Sequence, residues 1–290
     1  MNDFWIILTG SLVAISCALL GCFLILRRMA LVSDAISHAV LPGIVLAFLF
    51  SGSRDSLTMV IGASLLGLIT TFLIEFFHKK AKLQSDAAIG VTFTWLFAIG
   101  VVLISLFAGK VDLDQDCVLY GEIAYIPLDM IILESGYIIA PKAIVVMSAV
   151  LIAILLVLYF FYKELLLTSF DPGYATALGF STAFWHYLLM GMVSATTVAS
   201  FESVGAILVV ALLIVPPATA YLLTDNFKRM LIIASSVGVV AAASGYYVAV
   251  WMDGSIAAAI ATMCGLLFAL AFVFSPTHGI LKRKLVRAIN

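Results

Sequence analysis

Charge is scarce in this sequence. Asp, Glu, Lys and Arg make up 11% of its 290 residues, against about 25% in soluble globular chains. With 64% hydrophobic residues and a mean hydropathy of +1.21, no soluble core could hide the apolar surface, and lipid must be the solvent for most of it. The formal net charge of −1 offers nucleic acid no basic surface. Cysteine is sparse too. Cys17, Cys22 and Cys264 stand in apolar runs, and Cys117 stands alone in a polar stretch. The C-x-x-C spacing is missing, so neither a disulfide framework nor a zinc knuckle is indicated. There is no GxxxxGK[ST] loop and no soluble stretch long enough to house one, so any ATP used must be hydrolysed on another subunit. The short alternating segments of a membrane β-barrel are missing as well.

What the chain has is long apolar runs, each of roughly the length needed to span a bilayer. They cover 4–26, 36–50, 57–77, 87–108, 142–162, 181–200, 203–223, 230–251 and 255–275. The expected fold is all-α: a polytopic transmembrane helical bundle of about nine spans, taken as one domain over 1–290. Only Glu202 divides the sixth run from the seventh. If those two form a hairpin or re-enter, the count is about eight. Met1-Asn2-Asp3 lacks the basic start of a cleavable signal, so the first run is read as a span.

Orientation follows from the basic residues. Arg27, Arg28, Lys79, Lys80, Lys82, Lys163, Lys228, Arg229, Lys282, Arg283, Lys284 and Arg287 fall on one side, twelve of the fifteen. Arg54, Lys110 and Lys142 fall on the other. The positive-inside rule puts the C-terminus in the cytoplasm and, with nine spans, the N-terminus outside. The outer stretch 110–135 is acidic, with Asp112, Asp114, Asp116, Glu122, Asp129 and Glu134 against Lys110. It reads either as a solvated loop or as a docking surface that attracts cations.

Three places carry chemistry. Asp34 and His38 lie four apart and share a helical face. A carboxylate inside a membrane helix costs ~2.5–3.5 kcal/mol on insertion scales and needs a partner or a polar cavity. With a neutral imidazole it makes an O,N ligand pair suited to manganese, iron or zinc. Two ligands are not a cage, but a two-fold dimer would supply four. The competing reading makes Asp34 the N-cap of the second helix. The second place is 163–179, on the cytoplasmic side, which opens with Lys163 and Glu164. Within it Ser169, Asp171 and Pro172 can start a short helix with proline in its first turn. Such a helix suits docking to a cytoplasmic partner, or is an ordinary interfacial turn. The third is Pro216-Pro217, which removes two backbone donors within an apolar run and marks a bend or a moving gate. Glu75 can reach Lys79 one turn on.

Several segments together resemble one family, the permeases of zinc, manganese and iron ABC importers, the ABC-3 family. They are Leu26-Arg27-Arg28-Met29-Ala30-Leu31 running into Ser33-Asp34-Ala35-Ile36-Ser37-His38-Ala39-Val40-Leu41-Pro42-Gly43, then Ser85-Asp86-Ala87-Ala88-Ile89-Gly90, Lys163-Glu164-Leu165-Leu166 with Phe170-Asp171, and Val204-Gly205 through to Pro217-Ala218-Thr219-Ala220. The resemblance implies a type II importer-like permease in a bacterial plasma (inner) membrane, paired with a second copy or a paralogue. It also implies a cytoplasmic ATPase and an extracytoplasmic metal-binding protein as partners. It makes Asp34 and His38 the metal contacts. It makes Lys163, Glu164, Phe170, Asp171, Pro172 and Gly173 part of the region that couples to the ATPase. The ion is then transported substrate, with no cofactor bound permanently. Leu119-Tyr120-Gly121-Glu122-Ile123-Ala124 resembles the manganese-type members more than the zinc-type ones. Ser33 stands where the family commonly has glycine.

Two other function classes compete. A secondary transporter would use Asp34 as an ion relay and run on an ion gradient without an ATPase. An intramembrane metalloenzyme would need a third ligand and a general base near Asp34 and His38, and the sequence offers neither.

Overall fold

A computed structural model describes residues 2–51, 56–107, 123–132 and 138–275. The helices are α1 (Asn2–Leu26), α2 (Ala30–Ser51), α3 (Ser56–Lys80), α4 (Ser85–Phe107), α5 (Lys142–Phe170), α6 (Pro172–Ala177), α7 (Thr182–Val204), α8 (Ala206–Leu223), α9 (Phe227–Met252) and α10 (Ile256–Phe274). A 3-10 turn (Ile123–Leu128) and a small antiparallel pair, β1 (Met130–Ile132) and β2 (Ile138–Pro141), precede α5. Among the described residues seven helices are long and apolar enough to cross a membrane: α1, α3, α4, α5, α8, α9 and α10. α2 and α7, of 22 and 23 residues, lie outside those seven. The chain is thus a helical, multi-pass membrane protein.

Two compact units emerge. One is built from the described parts of Met1–Arg28, Asp116–Val157 and Ser200–Asn290, the other from those of Met29–Gln115 and Leu158–Ala199. In the first, α1 packs on α8 and α9, and α10 closes against both of these. Small residues set the approach, as is usual where lipid supplies no hydrophobic drive between helices. A methyl at Gly245 would sit 2.5 Å from the Ile260 Cα, so α9 and α10 meet nearly backbone to backbone. At the other end of the bundle Phe23 and Phe227 meet edge to face at 4.8 Å.

In the second unit α2 packs on α3 and α4. Gly43 faces Ala63 and Leu66, and Gly62 faces Ala47. α7 joins α3 where the Ser194 hydroxyl donates to the Ser64 carbonyl at 3.1 Å.

Three breaks shape the chain. α7 and α8 separate at Gly205, whose φ of 78° suits glycine, and not at Glu202. α5 continues to Phe170 with a kink at Phe161 (φ −119°, ψ 22°). α1 and α2 are split at Arg27–Met29, where Arg28 has φ 57°.

Candidate functional site

α2 begins at Ala30, a full turn before Asp34. Asp34 is therefore inside the helix and caps nothing, which removes the N-cap reading. The polar opening of α2 is helical because its hydroxyls turn inward on their own backbone. Ser33 Oγ donates to the Ala30 carbonyl at 2.7 Å, and Ser37 Oγ to the Ser33 carbonyl at 2.9 Å. Asp34 and His38 share one face as the spacing requires, with Asp34 Oδ1 3.6 Å from His38 Nε2. That distance is too long for a hydrogen bond. The side chains are 41% and 37% exposed. His38 rests against Phe93 and Phe97, at ring-centroid distances of 5.7 and 5.9 Å. Those rings lie in the middle stretch of α4, so the pair is flanked by apolar span and not by a helix end. Among the described residues no group of three or more His, Cys, Asp or Glu converges to hold a metal ion. Asp34 and His38 stand as a pair, with no third such group beside them among the described residues.

Residues 163–179 do not form a loop. Lys163, Glu164 and Phe170 lie on the last turns of α5, beyond its kink. Asp171 is the N-cap of α6, its carboxylate accepting from the Tyr174 N–H at 2.9 Å, and Pro172 occupies the first helical position. Gly173 follows it in α6. Gly179, at φ 87°, closes the turn after α6, and the Phe180 N–H returns to the Ala175 carbonyl. Phe170, Tyr174 and Leu178 are 60%, 56% and 53% exposed, an apolar patch on a capped, well-defined turn.

Pro216 and Pro217 lie buried inside α8. Their ring nitrogens cannot donate, so the carbonyls of Leu212 and Leu213 lose their usual helical partners. α1 meets this spot with Gly21: a methyl there would be 2.0 Å from the Leu213 oxygen and 2.8 Å from the Pro217 Cγ.

Sequence reasoning missed one cluster. Glu75 does pair with Lys79, but its other oxygen accepts from the Tyr187 hydroxyl of α7, with His186 near enough to interact electrostatically. A carboxylate in an apolar run signals that a partner exists, but nothing local points to a residue 112 positions away. In the break before α2, burial lowers the Arg27 guanidinium to about 10, which leaves it cationic at neutral pH. Most of the acidic stretch 110–135 falls outside the described residues.

The model of the ABC 3 transport family matches residues 3–275. The chain belongs to the ABC 3 transport family. It is 51% identical to the manganese transport system membrane protein MntD of Bacillus subtilis (strain 168), over 99% of this chain and 96% of that protein. It is 48% identical to the zinc transport system membrane protein TroD of Treponema pallidum (strain Nichols), over 97% of this chain and 76% of that protein. Among solved structures, PsaBC from Streptococcus pneumoniae in complex with Fab contains a chain that overlays this one with a TM-score of 0.79 at 34% identity, covering 97% of this chain and 94% of that one. Membership in an ABC transport family agrees with the lack of a phosphate loop in the chain itself.

Proposed function

We propose that this chain is the membrane-spanning permease subunit of an ATP-driven importer of divalent transition-metal ions, with manganese the favoured cargo over zinc and iron. It is a transport subunit and not an enzyme. The observation that carries the reading is the Asp34–His38 pair, an O,N donor set without mutual hydrogen bond, half exposed beside the middle of α4. A carboxylate there needs a partner or a polar cavity, and a passing cation supplies such a partner. Manganese is preferred because MntD, 51% identical, is a manganese system protein, and because 119–124 has the manganese-type look. The metal is cargo, so its ligands must bind and then release it.

A second copy of the chain, or a paralogue, supplies the missing ligands, giving two carboxylates and two imidazoles. The segment with Lys163, Glu164, Phe170, Asp171, Pro172 and Gly173 receives the cytoplasmic ATPase through the exposed Phe170–Tyr174–Leu178 patch. The acidic stretch 110–135 receives an extracytoplasmic metal-binding protein. All nine long helices, α1–α5 and α7–α10, span the membrane of a bacterial cell, with the N-terminus outside and the C-terminus in the cytoplasm. The Pro216-Pro217 bend is a candidate gate element.

The experiment replaces the ligands one at a time in the permease co-expressed with its ATPase. Asp34→Asn keeps size and removes charge, and His38→Ala removes a donor. Each is expected to abolish manganese uptake while the complex still assembles and hydrolyses ATP. Wild-type uptake by assembled Asp34→Asn sinks the metal-site reading. Uptake that persists without the ATPase and follows an ion gradient favours the secondary transporter instead.

A further inference from the structure

The ion-pair helix and the segment 163–179 belong to the same compact unit, and one hydroxyl stands on the route between them. α6 leads through residues 178–181 into α7. In the first turns of α7, Trp185 packs on Phe161 at the kink of α5, with ring centroids 5.2 Å apart. Two residues on, the Tyr187 hydroxyl donates to Glu75 Oε2 of α3. Glu75 is held for this bond. Its other oxygen takes Lys79, which is 66% exposed, while Glu75 itself is only 19% exposed. The carboxylate thus accepts from both side chains, one on each oxygen, and joins α3 to α7.

About two helical turns further along α7, Ser194 meets α3 again. Its hydroxyl reaches the Ser64 carbonyl at 3.1 Å, and a methyl at Gly67 would lie 1.9 Å from its oxygen. The same Gly67 position would touch Ile36 of α2 at 3.2 Å. Ile36 lies between Asp34 and His38 in sequence. The chain thus runs from α6 into α7, and contacts lead on from α7 to α3 and from α3 to the helix of the ion pair. Two helices joined at one point can swivel about it. A second joint two turns away removes the swivel, and Tyr187–Glu75 is that second joint, nearer the segment 163–179.

We propose that Tyr187, through its hydrogen bond to Glu75, is a positioning residue that makes α7 and α3 one rigid pair, so that displacement of the segment 163–179 reaches Asp34 and His38 undiminished. This rests on the reading that the segment meets an ATPase and the pair meets the ion. Tyr187 touches neither partner nor cargo. Its effect is on the number of ions carried for each ATP spent.

The test uses the permease assembled with its ATPase and metal-binding protein in proteoliposomes, counting manganese ions carried per ATP hydrolysed. The wild-type complex must show ATP-driven uptake. Absence of it overturns the functional reading and with it this proposal, before any variant is made. Tyr187→Phe keeps the ring and its packing and deletes the donor. The ratio is expected to fall about tenfold, equivalent to about 1.4 kcal/mol of lost coupling, with assembly and ATP hydrolysis unchanged. A ratio within about twofold of wild type, under about 0.5 kcal/mol, overturns the proposal.

A second variant guards against simple instability. Glu75→Cys with Tyr187→Cys, in a chain whose four native cysteines are alanine, should be uncoupled until a short bifunctional thiol reagent bridges the two positions. Bridging should then restore the ratio. A bridged complex that stays uncoupled shows that the contact must open during the cycle, and a rigid link is then wrong.

Discussion

Gly21→Ala offers a sharp test of how α8 tolerates two prolines. Pro217 leaves the Leu213 carbonyl without its helical donor, and α1 fills the gap with a residue that has no side chain. A methyl at Gly21 would lie 2.0 Å from the Leu213 oxygen, 3.0 Å from its carbonyl carbon and 2.8 Å from the Pro217 Cγ. Carbon and oxygen settle at about 3.3–3.6 Å even in a favourable Cα–H···O contact, so α1 and α8 must part by more than about 1 Å. Two of the three obstructing atoms are backbone and the third is a proline ring, so rotamer changes give no relief. Overpacking of this kind costs ~1–3 kcal/mol, and here the upper end applies. Alanine returns about 1 kcal/mol through its better helix propensity. The expected net loss is about 2 kcal/mol. The assay is the unfolding midpoint of the purified chain in detergent. Gly265→Ala, in the same four-helix set, is the control, because a methyl there meets nothing within 4 Å. Its midpoint should hold or rise. If Gly21→Ala is as stable as Gly265→Ala, the close seat of α1 on the proline bend does not exist.

Two further outcomes are expected. Phe170→Ala combined with Asp171→Ala removes an exposed contact and the α6 cap, a cap loss of ~0.5–2 kcal/mol, and should uncouple ATP hydrolysis from uptake without affecting membrane assembly. Coupling at the wild-type level in that variant removes 163–179 from the ATPase interface. Replacing Asp112, Asp114 and Asp116 by asparagine should slow association with the metal-binding protein more than it speeds dissociation, with a deficit that shrinks at high salt. A deficit indifferent to ionic strength points to shape contacts, and no deficit returns the stretch to a solvated loop.

Apolarity and helical spacing made much of this molecule readable from its residues. Asp34 and His38 share a face because four residues make about one turn. Glu75 pairs with Lys79 for the same reason. Asp171-Pro172 starts α6 through local capping chemistry that needs no tertiary information. The boundaries were less legible, because an apolar run marks contact with lipid and not the extent of a helix. α2 starts at Ala30, six residues before its apolar run at 36, since Ser33 and Ser37 satisfy themselves on the backbone. α5 outlasts its run through Lys163 and Glu164, both good helix formers. The charge of Glu202 suggests the division of α7 from α8, but it falls at Gly205, where the backbone has φ 78°. The Tyr187–Glu75 bond joins residues far apart in sequence and could be known only once α3 and α7 lay side by side.

In lipid, apolarity no longer tells which helices are buried, and α7 shows the consequence. Among the described residues α5 holds the most apolar stretch, yet 22% of it is buried; the least apolar spans, α3 and α9, are 28% and 33% buried, and the strongly apolar α1 is 72% buried. Helices that face lipid must be apolar, whereas those shielded by other helices can hold hydroxyls if these find partners. α7 is not among the seven strongly apolar helices. It nevertheless buries Leu189, Met190, Val193, Val198, Ala199, Phe201 and Val204 together with Ser194, Thr196, Thr197, Ser200 and Ser203. Its first turns follow the segment 163–179 and carry Tyr187, and its middle is seated on Gly67 by Ser194. Hydropathy alone does not separate enclosed helices from lipid-facing ones here; it is the row of buried hydroxyls that distinguishes α7, the helix through which ATPase contact and ion pair are proposed to communicate.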